Sequence, residues 1–122
     1  MKKFALSALV AAMAVAGTAQ AGVTDKDILN DQMSTGDVLT NGMGLRGQRY
    51  SPMDKINTET VKDMRPVWAF SFGGEKQRGQ ESQPMIKDGV MYVTASYSRV
   101  FAVDTKTGEE LWEYNARLPD GI

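Results

Sequence analysis

Residues 102–112 read AVDTKTGEELW, and the rest of the chain is organised around this stretch. The β-prone residues Val100, Phe101, Ala102 and Val103 lead to Asp104, whose carboxylate can accept hydrogen bonds from turn amides. Thr105, Lys106, Thr107 and Gly108 supply the turn, and Gly108 can take a positive φ because it has no Cβ. From Glu109 to Tyr114 polar and apolar residues then alternate with the period of a strand. The stretch predicts the last hairpin of a four-stranded antiparallel sheet. Taken alone it also fits an ordinary hairpin with a core tryptophan, because turn chemistry of this kind is common.

Working outward, residues 85–87 form a brief strand and Asp88-Gly89 is a strong two-residue hairpin signal. Residues 90–96 are apolar or β-prone on both faces, as expected of a sheet sandwiched between two others. Tyr97, Ser98 and Arg99 link this strand to the one at Val100. Short strands joined by tight turns from Met85 to Tyr114 make one propeller blade. Upstream, residues 66–72 (PVWAFSF) read as a further strand, with Trp68, Phe70 and Phe72 on one face. Pro66 pushes Arg65 toward an extended conformation and stops the element before it. That element is a short helix after Ile56, with Asn57 as its N-cap and Ile56 and Val61 placed for a hydrophobic staple. Between strand and blade, residues 73–80 are a polar, glycine-rich loop leading into Glu81, Ser82, Gln83 and Pro84.

The N-terminal part begins with a positive Met1-Lys2-Lys3, followed by an apolar and small-residue run over residues 4–16 broken only by Ser7. Ala19 and Ala21 fill the small-residue positions of a cleavage site, which predicts a secretory signal peptide over residues 1–21. The alternative is a membrane anchor, but the run falls short of the ~20 residues that span a bilayer. Export to the periplasm or beyond follows. Residues 22–122 are then the mature segment. Thr24 and Asp27 resemble a capping box, and residues 25–33 read as a short helix ended by Ser34, Thr35, Gly36 and Asp37. This helix reads as a clasp on a larger body. Residues 42–47 (GMGLRG) match G-x-G-x-x-G, but no strand–turn–helix context surrounds them and the dinucleotide reading is rejected.

Composition narrows the chemistry. The 122 residues contain no Cys and no His, which removes thiol nucleophiles, imidazole bases and the usual zinc sites. Removing Lys2 and Lys3 leaves 12 basic against 15 acidic residues, and no basic cluster points to nucleic acid.

The blade, the pattern A-x-D-x-x-T-G-x-x-x-W over residues 102–112, and the order Tyr50-Ser51-Pro52, Ile56-Asn57, Val61, Trp68 and residues 78–84 (RGQESQP) resemble the N-terminal segment of pyrroloquinoline quinone (PQQ)-dependent alcohol dehydrogenases. The run over residues 74–83 looks closest to the ethanol dehydrogenase branch. The resemblance implies an all-β fold: short N-terminal helices, then the first blade of an eight-bladed propeller, in which the Trp of one blade packs over the Gly-containing turn of its neighbour. It implies oxidation of primary alcohols to aldehydes with PQQ and a calcium or lanthanide ion, and electron transfer to a periplasmic cytochrome c. It is compatible with a homodimer and not with an integral membrane protein.

One functional residue carries over. The family's quinone-binding Glu falls on Glu81, which sits just before the blade's first strand; on composition alone it would be a solvated loop carboxylate. No catalytic or metal-binding residue is assigned: the resemblance implies that those groups lie beyond Ile122, so that the sequence is a truncated one that cannot catalyse by itself. The competing readings are a non-catalytic propeller of the same repeat type, acting as a scaffold or binding module, and a small secreted β-domain. Scaffolds of that kind are lipoproteins with an acceptor Cys, which this sequence does not have, and one blade alone has nothing to bury its two apolar faces against.

Overall fold

Tight turns fold residues 85–115 into a four-stranded antiparallel sheet in the order β1-β2-β3-β4, formed by Met85–Lys87, Val90–Ala95, Arg99–Asp104 and Glu110–Asn115. The computed structural model describes residues 22–73 and 80–119. The expected signal peptide, the centre of the glycine-rich loop and the last three residues lie outside them.

Each turn has a local cause. Lys87 pairs with Val90, and both residues between them have positive φ, 51° at Asp88 and 79° at Gly89. That is the backbone of a two-residue turn whose twist matches the strands. At the last turn Asp104 Oδ1 accepts from the amides of Lys106 (2.8 Å) and Thr107 (2.9 Å), and Gly108 takes a φ of 73°. These bonds, Thr107 first, hold the Asp104 carboxyl below its ordinary value. The β2–β3 turn is different, since Tyr97 and Ser98 adopt positive φ of 62° and 54° despite their side chains. At β4 a bulge lets Ala102 pair with Trp112 but Val103 with Glu110.

Register sorts the sheet into two faces. Met91, Val93 and Ala95 lie opposite Val103, Phe101 and Arg99 on one of them. There Val93, Phe101 and Val103 are buried beneath Trp68, Phe70 and Phe72. The rings of Phe70, Phe72 and Phe101 meet pairwise at 5.4–5.5 Å between centroids. Each such pair contributes about 0.5–1.5 kcal/mol beyond the area it buries. Residues 66–72 are therefore extended and present one aromatic face, as expected, but they are not a strand of this sheet. They lie across its face, where the backbone has no ladder to join.

The other face carries Tyr92 and Trp112 in register with Ala102, and Thr94 and Tyr114 in register with Val100. The Tyr92 and Trp112 rings stand 6.0 Å apart, and Ala102 between them is fully buried. Tyr92, Trp112 and Tyr114 stay exposed, so this face has no cover among the described residues.

The N-terminal segment closes against β1. The Thr24–Asp27 capping box forms and starts α1, Asp25–Asn30. The helix then tightens to a 3-10 turn, Asp31–Met33, rather than continuing as α-helix. Asp31 is buried, and the reason is its partners: Oδ1 accepts from Leu39 N (2.9 Å), and Oδ2 from Thr40 N (2.9 Å) and Thr40 Oγ1 (2.6 Å). Val38 next to them forms a two-way bridge with Ile86. Asp37 adds bonds to Lys87 Nζ and Asp88 N, both at 3.0 Å. The Asp88 carboxylate, and then that of Asp37, hold the Lys87 ammonium above its ordinary value.

Residues 42–47 form turns, with Gly42, Met43, Gly44 and Gly47 all at positive φ and no helix following, which agrees with rejecting the dinucleotide reading. Asn57 Oδ1 caps the amides of Glu59 and Thr60, but only a 3-10 turn, Val61–Asp63, follows. Ile56 and Val61 both remain exposed, so the expected staple buries neither.

Candidate functional site

Glu81 sits on the extended stretch that enters β1, and its side chain is exposed. It lines a concavity of about 420 Å³ on the uncovered face of the sheet. Tyr92 and Val100 contribute apolar wall, while Asn41, Ser82 and Thr94 add polar groups beside the Glu81 carboxylate. An apolar wall with a few polar groups is the usual make-up of a small-molecule site. A carboxylate only accepts hydrogen bonds, so the ligand edge facing Glu81 must carry a donor.

Hydrogen bonds at Gln80, Ser82 and Gln83 hold the stretch around Glu81. Gln80 Nε2 donates to Ser96 Oγ at 3.3 Å. Ser82 Oγ accepts from the amide of Thr94 at 3.2 Å. Gln83 Nε2 donates to Thr40 O at 3.2 Å, which joins the stretch to the Asp31 network. Ser96 is held in turn, because Arg99 Nε donates to its carbonyl at 3.1 Å. Arg99 also lies over the Phe101 ring at 5.3 Å and faces Glu113 at 3.9 Å.

Asp31 shows how firmly the N-terminal side of the site is set. Burial pushes its carboxyl up, but the Thr40 hydroxyl and the amides of Leu39 and Thr40 together pull it below the ordinary value. It stays ionised at neutral pH and anchors Thr40 and, through Gln83, the approach to Glu81.

Of the residues singled out from the sequence, Glu81 is thus on a concavity, whereas Arg78 and Gly79 of the same motif lie outside the described residues. Asn41, Ser82 and Thr94 escaped the sequence reading. Ser82 is adjacent to Glu81, but Thr94 joins it only through the fold and Asn41 carries no local signal. Among the described residues no group of three His, Cys, Asp or Glu side chains is arranged to hold a metal ion. No helix among them is long and apolar enough to cross a membrane.

The Trp68 indole completes the architecture. It covers Gly108, and its Nε1 donates to Thr105 O at 3.0 Å. A tryptophan from outside the four-stranded unit thus docks on that unit's glycine turn, while Trp112 of the motif over residues 102–112 stays exposed.

Comparison with known proteins agrees with this geometry. The chain is 61% identical over 119 residues to quinoprotein alcohol dehydrogenase PedH of Pseudomonas putida, covering 98% of this chain and 20% of that protein. It is 57% identical over 116 residues to the quinoprotein ethanol dehydrogenase of Pseudomonas aeruginosa, covering 94% of this chain and 19% of that one. The crystal structure of quinohemoprotein alcohol dehydrogenase from Comamonas testosteroni superposes with a TM-score of 0.70 at 38% identity, over 79% of this chain and 14% of that one. The chain spans about a fifth of the length of the curated relatives it matches. Residues 40–121 match the β-propeller domain of the glucose/ethanol/alcohol dehydrogenase PQQ family, and the chain belongs to that family.

Proposed function

We propose that this chain supplies the first blade and the N-terminal clasp of a periplasmic PQQ-dependent alcohol dehydrogenase. The enzyme oxidises primary alcohols to aldehydes and passes the electrons to a cytochrome c. When bound, PQQ supplies the two-electron acceptor. The observation that carries the reading is the exposed Glu81 carboxylate on an apolar-walled concavity, with its flanking residues held by hydrogen bonds. The residues present fit the cofactor: Tyr92 and Val100 give an apolar wall for a planar ring system, Asn41 can donate to its oxygens, and Glu81 can accept from its pyrrole N–H. Glu81 holds the cofactor by accepting a hydrogen bond and moves no proton in the reaction. The catalytic base and the ligands of a calcium or lanthanide ion are assigned to other parts of the enzyme.

The test is a PQQ titration of apoenzyme at fixed metal concentration, using a complete dehydrogenase that carries this segment. Losing one charge-assisted hydrogen bond costs about 1.5–3 kcal/mol, so Glu81→Ala should weaken PQQ affinity by about ten- to hundredfold. Excess PQQ should then restore alcohol oxidation. Unchanged affinity would make Glu81 a solvated loop carboxylate, and weak activity at saturating PQQ would give it a chemical role instead.

A further inference from the structure

The pairing of β1 with β2 stops one step short of where geometry would let it continue. Lys87, Ile86 and Met85 pair with Val90, Met91 and Tyr92 in turn. Two residues further, Gln83 would face Thr94. Ile86 turns its N–H and C=O to Val38, so Pro84, two residues before it, would also face away from β2; the ladder ends because β1 stops at Met85, before Gln83 can meet Thr94. The amide of Thr94 is taken by a side chain instead: Ser82 Oγ accepts it at 3.2 Å, and accepts the Thr94 hydroxyl at 3.0 Å. On the other side of Glu81, Gln80 reaches the buried Ser96 hydroxyl. Both neighbours of Glu81 are therefore tied to the end of β2, at positions two residues apart, and neither tie uses the Glu81 side chain. A carboxylate carried between two anchors loses less conformational freedom on meeting a ligand than one on a free loop.

We propose that Ser82 is a positioning residue: through Thr94 it presets Glu81 for the cofactor. The hydroxyl replaces a missing ladder bond, lets the backbone leave the sheet at Pro84, and fixes the direction in which Glu81 faces the concavity. This rests on the reading of Glu81 as a PQQ contact.

A double-mutant cycle in a complete dehydrogenase carrying this segment tests it, with PQQ affinity of the apoenzyme and apoenzyme melting temperature as readouts. Ser82→Ala should weaken PQQ binding by about tenfold with no matching loss of melting temperature. Ser82→Thr keeps the hydroxyl and should restore affinity. Thr94→Val removes one of the two bonds to Ser82, so it should give a smaller loss in the same direction. In a Glu81→Ala background, Ser82→Ala should cost nothing further, because a positioning residue acts only through the group it positions. Losses that simply add in the double variant, or a Ser82→Ala enzyme with unchanged affinity, overturn the proposal while leaving Glu81 as a cofactor contact. If Glu81→Ala alone leaves affinity unchanged, the reading of Glu81 fails and the positioning role falls with it.

Discussion

Trp68 occupies the space that a side chain on Gly108 would need. A Cβ at Gly108 would meet Cδ2 of the indole at 2.6 Å and Cγ at 2.7 Å. The same indole donates to Thr105 O, so the ring is held over the turn from two sides. Glycine is required at position 108 both for its backbone conformation and for the ring above it.

That double requirement can be separated. Gly108 and Gly89 both have positive φ, 73° and 79°, but a Cβ at Gly89 would meet nothing closer than Thr105 Oγ1 at 3.8 Å. Gly89→Ala should therefore cost only backbone strain, roughly 1–2 kcal/mol. Gly108→Ala adds displacement of a packed ring, for a total of roughly 2–5 kcal/mol. Denaturant midpoints of the two variants in a complete dehydrogenase decide it. Equal losses would mean that Trp68 yields freely.

Asp31 should make the N-terminal clasp sensitive to acid. Its carboxyl lies below the ordinary value in the folded chain, so its stabilising contribution is full above the ordinary carboxylate range and fades as pH falls below about 4. Hydrogen exchange at the Leu39 and Thr40 amides should accelerate across that range. Asp31→Asn should give fast exchange already at neutral pH, at a cost of about 1–3 kcal/mol, because its amide cannot accept from all three donors. Protection in this variant that matches the parent chain would show that Asp31 is incidental.

Several parts of this fold were readable because their causes are local. Thr24 and Asp27 are three residues apart and form the expected box; Asp88-Gly89 turns where its backbone preferences say it should. Asp104 meets the very turn amides it was expected to meet. What escaped depends on contacts distant in sequence. Residues 66–72 carry the alternation of a strand, but alternation reports only that one face is buried. It does not say whether the partner lies edge-on or face-on, and here it is face-on. Asp31 looked like one more polar residue of a short helix, since its donors Leu39 and Thr40 are eight and nine positions away. The Tyr97–Ser98 turn has no glycine to announce it, because the paired strands on either side impose its positive φ. That Glu81 lies on a concavity could not be read from its neighbours in sequence, and the adjacent Ser82–Thr94 contact was not legible at all.

Residues 22–122 expressed alone should self-associate. Trp112 is 46% and Tyr114 59% exposed on the face that residues 66–72 leave open, and β4 has a free edge among the described residues. Apolar area and an unpaired edge in water both favour association. Sedimentation velocity should detect oligomers that shrink when Trp112 and Tyr114 are both replaced by Lys. A monomer with a cooperative melting transition would show that this stretch is a self-sufficient domain.

The exported form should begin at Gly22. Ala19 and Ala21 present the small side chains that a signal peptidase accepts. N-terminal sequencing of protein from the periplasmic fraction checks this; an intact Met1 terminus would refute it.

The docking of Trp68 also has a kinetic side. The turns between the strands are short, so the hairpins can close on the order of 1–10 μs. Trp68 and Thr105, by contrast, are 37 residues apart, so their contact is a non-local one. Interactions made late in folding slow unfolding more than they hasten folding. If the aromatic strap of residues 66–72 docks late, it acts as a latch, and loosening it should speed unfolding more than it slows folding.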